Sequence, residues 1–376
     1  MKVIVSGVKI IRDGDFMSSI KIMHCADLHL GAELSTLGNQ GAERRAELLH
    51  TLNTIKELCR ENSVRLLLIA GDLFDSNNVS ADTVQSVKSC FASMEGVLIA
   101  VTPGNHDYLS ADSPYSGEWS ENVHIFKKPE TIEVDGIFLH SVPFLSAYSD
   151  TFSLPRAEGG TNILLLHGDI SGGNYNPITP AILAQTNMDY VALGHVHKRT
   201  EVAYAGTTAY AYSGCPEPLG FDELDEKGVY IGTVGKNQVN LEFYKTCRRC
   251  YRELTLDVSE AQDNTEVLSL AKSAIKNYNG DLIKLKLTGE SSFSLDTEYV
   301  AAGLKDDAYF IKVRDCTFTK ENLEIIKEEQ TLKGFFVREM LSRIEHCDED
   351  KKASLNEALR LGLAALASRE VGYLEN

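Results

Sequence analysis

The chain has 376 residues, 43% hydrophobic and 24% charged, and its 54 acidic against 37 basic side chains leave a net charge of −17. This composition excludes a disordered, collagen-like or coiled-coil chain, and the length suits roughly two to three domains. It also excludes polyanion binding by bulk charge: a nucleic-acid ligand would need a metal cluster, a basic patch or a basic partner.

Residues 1–16 carry Asp13 and Asp15 and lack the continuous apolar core of a signal peptide. They read as an extension before a more natural opening strand, Ile20–Cys25. Glu43–Asn62 has helical spacing at Leu48, Leu49, Leu52, Ile55 and Leu58. Arg65–Ala70 reads as a buried strand, Ala81–Met94 as a helix, and Gly96–Val101 as a strand ending in Pro103-Gly104. Further strands are predicted at Val123–Phe126, Thr131–Val134, Ile137–Val142, Asn162–His167, Tyr190–Leu193, Glu201–Ala205, Val229–Val234 and Asn240–Tyr244. The fold class is α/β, with a two-sheet sandwich flanked by helices.

A break falls near Thr246–Arg249. Beyond it, Tyr251–Val258, Thr265–Asn277, Asp281–Leu287, Thr297–Leu304 and Ala308–Asp315 read as β-α-β-α-β, a small separate domain. From Glu321 the chain turns helical, with apolar stripes over Asn322–Ile344 and Ala353–Ala367. The expected division is 20–246, 247–320 and 321–376. No run of 18 apolar residues predicts a membrane span. The eight cysteines are scattered, which points to reduced thiols and a cytoplasmic protein. Cys247 and Cys250 form one CxxC and read as two thiols in an Arg-rich linker.

Five short motifs fall where strands should end: Asp27-x-His29, Gly71-Asp72-Leu73-Phe74-Asp75, Gly104-Asn105-His106-Asp107, His167-Gly168-Asp169 and Gly194-His195-x-His197. The carboxyl ends of strands are where open α/β folds bind ligands. Carboxylates, imidazoles and one amide form an oxygen-and-nitrogen donor set without thiolate, which suits manganese, iron or an open zinc site. The donors are too many for one ion and fit two bridged by a carboxylate. Two such ions polarise a phosphodiester and lower the pKa of water.

This ordered set resembles the calcineurin-like metallophosphoesterase superfamily. The segment Tyr212–Tyr230, with its SG-P…GFDE…KG pattern, narrows the resemblance to DNA-repair exonucleases of the SbcD type. The resemblance implies a four-layer sandwich, a small α/β capping domain and a helical tail. It implies one ion on Asp27, His29, Asp72 and His197, and a second on Asp72, Asn105, His167 and His195. His106 would face the scissile phosphate, steadying it or protonating the leaving oxygen, work that suits an imidazole. Asp107 would orient that imidazole or serve a structural role. Asp75, where some nuclease relatives place a histidine, would orient a site histidine or cap the following segment. The metals would be Mn2+, with Fe2+ or Zn2+ as alternatives.

The same resemblance implies sequence-independent DNA binding, a coiled-coil ABC-type ATPase of the SbcC kind docked on the C-terminal helices, and a possible homodimer. Phe335 and Phe336 would anchor the ATPase. Leu48–Leu58 and the segment after Asp75 are candidate dimer surfaces. Basic clusters at Arg44-Arg45, Lys127-Lys128, Lys198-Arg199 and Arg248-Arg249 are candidate phosphate contacts. The competing functional class keeps the chemistry and changes the substrate: a small-molecule or nucleotide phosphodiesterase, or a protein phosphatase. A non-enzymatic subunit bridging DNA to an ATPase is the third.

Overall fold

A strand with no polar alternation must be covered on both faces. Leu66–Ala70 is such a strand, and all of it is buried in the computed structural model, which describes residues 19–149, 153–157, 159–172, 175–319 and 323–366. Leu66, Leu68 and Ala70 pack in a core shared with a second sheet, whereas Leu67 and Ile69 join Leu48, Leu52, Val87 and Phe91 of two helices. Residues 1–16, Glu321, Asn322 and Ala367, which entered the sequence expectations, lie outside the described residues.

The chain divides into two compact units, Met1–Cys250 and Tyr251–Asn376. The first runs β1 (Ile20–Cys25), α1 (Gly41–Glu61), β2 (Leu66–Ala70), α2 (Ala81–Ala92), β3 (Leu98–Thr102), β4 (Val123–Ile125), β5 (Glu130–Val134), β6 (Ile137–Ser141), β7 (Thr161–His167), α3 (Pro180–Thr186), β8 (Tyr190–Gly194), β9 (Ala203–Ala205), β10 (Thr208–Tyr212), β11 (Gly228–Gly235) and β12 (Gln238–Lys245). Two six-stranded sheets result, ordered β12-β11-β1-β2-β3-β4 and β5-β6-β7-β8-β10-β9. Helices α1 and α2 cover the outer face of the first, and Leu183 of α3 packs on the second. The expected sandwich of sheets flanked by helices is therefore present.

The helix α3 and the strand β10 of this unit are among the elements missing from the sequence reading. The seven-residue α3, opened by the Thr179 cap and Pro180, is too short to display a period. Strand β10 lies just before the Gly214-Cys215 turn and pairs parallel with β8, a register that only tertiary contact reveals. One dimer candidate also changes: Leu48, Leu52 and Ile55 are buried under the first sheet.

The arrangement positions a site because β1 to β4 are parallel, as are β6, β7, β8 and β10. The carboxyl ends of β1, β2 and β3 in one sheet, and of β7 and β8 in the other, carry the five motifs.

The second unit holds β13 (Tyr251–Asp257), α4 (Asn264–Ile275), β14 (Leu282–Thr288), β15 (Glu290–Ser291), α5 (Thr297–Gly303), β16 (Phe310–Asp315) and β17 (Phe318–Thr319). β13, β14 and β16 form a parallel sheet packed on α4 and α5. Then come α6 (Leu323–Ile326), α7 (Leu332–Glu345) and α8 (Glu349–Leu366). Ile326, Val337, Met340 and Leu359 form a separate small core there. Phe336 packs into it, whereas Ile325, Leu332 and Phe335 are exposed.

Candidate metal centre

The strand exits turn sharply, and the backbone records it. Asp27, His29, Asp72 and His195 have φ of 53°, 44°, 50° and 100°. Non-glycine residues held there cost about 1–3 kcal/mol each and persist only where the surroundings fix them. Here the two first exits hold each other: Asp27 N–H donates to Gly71 O at 3.1 Å, and His29 N–H to Asp72 O at 3.0 Å. Two glycines make room for the side chains. A Cβ on Gly71 would lie 2.2 Å from His167 Nδ1, and one on Gly104 would lie 2.1 Å from Asp72 Oδ1.

These exits bring every predicted ligand together. Asp27, His29, Asp72 and His167 are buried, and His197 is half-buried. His29 Nε2 lies 3.2 Å from His197 Nε2 and 3.8 Å from Asp72 Oδ2. His167 Nε2 lies 3.3 Å from Asp72 Oδ2 and 2.9 Å from Asn105 Oδ1, which is itself 3.2 Å from His195 Nδ1. Asp27, His29 and His197 form one group that could hold an ion, and Asp27, Asp72 and His167 form another.

The hydrogen bonds behind the rings test whether cations fit. His29 Nδ1 faces Asp75 Oδ1 at 3.2 Å, His197 Nδ1 faces Glu223 Oε1, and His167 Nδ1 faces Ala70 O at 2.9 Å. Each Nδ1 must donate to these acceptors, so in the neutral ring each Nε2 presents a lone pair. Those lone pairs point at one another, at Asp72 and at Asn105. Acceptors converging in a buried site require protons or cations between them. Imidazole and carboxylate donors with orienting partners behind them are what divalent ions take.

Comparison with known proteins agrees with this chemistry. Residues 20–199 match the family described as calcineurin-like phosphoesterase. These residues are a calcineurin-like phosphoesterase domain. The chain is 28% identical over 280 residues to the metallophosphoesterase YhaO of Bacillus subtilis, covering 68% of this chain and 67% of that protein. It is 28% identical over 239 residues to the DNA double-strand break repair protein Mre11 of Methanopyrus kandleri, covering 56% and 52%. To Mre11 of Aeropyrum pernix it is 25% identical over 268 residues, covering 64% of each. The chain thus spans between about half and two thirds of these relatives' own length.

Electrostatics in the phosphoesterase domain follow from two buried carboxylates. Burial would lift Asp72, but His167, His29 and His106 outweigh it and hold it below the usual carboxylate range. Burial would likewise lower the two imidazoles. Asp75 and Asp72 nevertheless push His29 up to about 9, and Asp72 and Asp27 push His167 up to about 9. Burial and the nearby His167 lower His195 to about 4. In metal-free protein the protons on His29 and His167 thus neutralise the carboxylates. A histidine raised above its ordinary 6.5 adds stability that is full below 6.5 and lost as pH rises through about 9. Melting temperatures of chelated protein are therefore expected to fall between pH 6.5 and 9. With saturating Mn2+ the fall disappears, because the cations replace the protons.

Two details of the site come only from the fold: which of its two expected roles Asp107 takes, and what stands behind His197. Asp107 does not touch the His106 ring: its buried carboxylate accepts Gly104 N–H at 2.7 Å, Phe74 N–H at 3.1 Å and the Tyr115 hydroxyl. It braces the loop that carries Asn105 and His106. The His106 ring is held instead by Asp75, whose carbonyl lies 3.0 Å from Nδ1. Glu223, the last residue of GFDE, had no expected role, because its contact with His197 spans 26 residues. It also accepts Leu219 N–H at 2.7 Å. Glu223→Gln removes the charge behind His197 and is expected to weaken Mn2+ binding by about 10–100-fold, read by metal titration.

Two of the basic clusters are paired with acidic side chains of the same unit, although Arg45 and Arg248 stay exposed. Arg44 is buried among Glu47, Glu217 and Pro218 O, and Arg248 and Arg249 both meet Glu47. Arg199 is held by Glu201 and Tyr230 and lies over the Phe243 ring at 4.5 Å. Lys127, Lys128 and Lys198 remain exposed.

Proposed function

We propose that this chain is a two-metal phosphodiester hydrolase, and that it acts on DNA as an exonuclease of the SbcD type in repair. The carrying observation is the convergence of imidazole and carboxylate lone pairs beside an exposed histidine, His106. The likeness to two proteins named for double-strand break repair supports DNA as the substrate.

Asp27, His29, Asp72 and His197 would hold one ion, and Asp72, Asn105, His167 and His195 the other. Bound Mn2+, or Fe2+ or Zn2+, supplies Lewis acidity toward a phosphoryl oxygen and lowers the pKa of water. The rest falls to the chain. Asp75 and Glu223 orient His29 and His197. Asp107 and Tyr115 keep the Gly104–His106 loop in place. His106 Nδ1–H donates to the Asp75 carbonyl, and in the imidazolium form Nε2–H gives its proton to the leaving oxygen as the P–O bond breaks, leaving the neutral ring.

The net charge of −17 and the pairing of Arg44, Arg248 and Arg249 with acidic side chains favour a second reading, a phosphodiesterase for small substrates. A metal panel on the full chain separates them. Mn2+-dependent release of nucleotides from linear duplex or single-stranded DNA ends supports the nuclease. Hydrolysis of cyclic nucleotides with DNA untouched overturns it.

In this reading residues 20–246 are the nuclease domain, 247–320 a capping domain and 321–376 a docking tail for a coiled-coil ATPase. The phosphoesterase surface would pair two copies, in the cytoplasm. No helix among the described residues is long and apolar enough to cross a membrane. Ile325, Leu332 and Phe335 are 63%, 71% and 62% exposed, which supports docking because buried neighbours already satisfy the α7–α8 core. Phe335→Asp is expected to abolish binding of a coiled-coil ATPase of the SbcC kind in a pull-down while leaving phosphodiester hydrolysis unchanged.

A further inference from the structure

Two tyrosines at the rim have no part in holding metals or moving protons. The His195 ring packs against Tyr175 with centroids 5.0 Å apart, and Tyr175 stacks on Tyr148 at 5.6 Å and 26°. Three rings therefore lead from a proposed metal ligand to solvent. Tyr148 ends the series 65% exposed, next to Leu145 at 57%. An exposed tyrosine contributes little to a core, and one stacked face leaves the other for a ligand.

The ladder is anchored rather than incidental. Ser149 and Tyr175 form a parallel β-bridge, and Asn176 N–H donates to Ser149 O at 2.7 Å. Asp169 N–H donates to Tyr175 O at 2.9 Å. Asn176 Nδ2 then donates to the carbonyl of His167 at 2.9 Å. Both tyrosines are thus fastened to the backbone that carries one proposed ligand, His167, and Tyr175 packs on the ring of another, His195.

We propose that Tyr148 and Tyr175 form a stacking platform for an unpaired nucleobase next to the scissile phosphate. This rests on the phosphodiesterase reading above and names how the substrate is gripped. Stacking is indifferent to base identity and needs no positive charge, which suits a chain of net charge −17. It also favours a frayed or single-stranded end over the interior of a duplex, where stacked neighbours already cover both faces of a base.

The test uses full-length protein and two labelled oligonucleotides of equal length, oligo-dT and an abasic polymer with the same phosphates. Anisotropy titrations in Ca2+ should show oligo-dT bound about 5–150-fold more tightly by the wild type. Tyr148→Ala should erase that difference, and Tyr148→Trp should restore it. Hydrolysis of methyl phosphodiesters by Tyr148→Ala should stay at the wild-type rate. Equal wild-type affinity for both polymers overturns the platform, as does a Tyr148→Ala protein that keeps the preference. Binding to neither polymer, with methyl phosphodiesters still cleaved, also overturns it but leaves the hydrolase reading standing. Loss of hydrolysis in the wild type itself overturns both.

Discussion

His106→Ala should lower kcat on DNA by about 10²–10⁴-fold while the bound metal stays at the wild-type level. The ring is exposed at the rim of the site, edge-on to His29 at 4.8 Å, and Asp75 O fixes its Nδ1. Its backbone N–H, which donates to Asp72 Oδ1 at 3.0 Å, survives the substitution, so the metal-holding carboxylate keeps its support. What disappears is the Nε2 proton. A deoxyribose alkoxide is a poor leaving group without a proton, whereas p-nitrophenolate leaves unaided. The variant should therefore lose far more activity on DNA than on bis(p-nitrophenyl) phosphate. Elemental analysis and the two substrates decide the matter. Equal losses on both would mean that His106 steadies the phosphate rather than protonating the leaving oxygen. Lost metal would make it a ligand, since it also lies within reach of His29 and Asp72.

The sandwich was legible in the sequence because its strands are long apolar runs, and the motifs stood at their ends. Asp27, Asp72, Asn105, His167 and His195 could be grouped on that ground, since parallel strands deliver their carboxyl ends to one edge. The residues behind them were not legible in the same way. Glu223 reaches His197 from a loop on the far side of β10, and only the fold brings them together. Asp107 reads equally as a partner for its neighbour His106 or as a structural residue, and only the fold decides by turning its carboxylate to Gly104, Phe74 and Tyr115. Arg44 illustrates the opposite error. It read as a basic surface cluster, yet Glu217, distant in sequence, draws it into the interior. Charge pattern reports what a residue carries, not which partner the fold supplies. The ring ladder was equally invisible, because Tyr148, Tyr175 and His195 meet only across two loops.

Asp72→Asn should have the largest effect of any single change. The carboxylate is buried, lies 3.3 Å from His167 Nε2 and 3.8 Å from His29 Nε2, and has Gly104 pressed against its other oxygen. Asparagine keeps the shape and removes the charge, so packing around Gly104 survives while the two donor groups lose the anion that would bridge their ions. Several kcal/mol of transition-state stabilisation go with it, about 10³-fold or more in turnover. The consequence should also appear without any substrate. Wild-type protein at 100 times its metal Kd gains about 2.7 kcal/mol of stability, and the variant should gain little of that. In chelator the order changes. His167 loses the carboxylate that raised it most, so the fall in melting temperature between pH 6.5 and 9 should flatten in Asp72→Asn. A merely unfolded variant would melt low at every pH and show neither pattern. If Asp72→Asn keeps two ions and wild-type turnover, the bridge must be Asp27, the other carboxylate common to two donor groups.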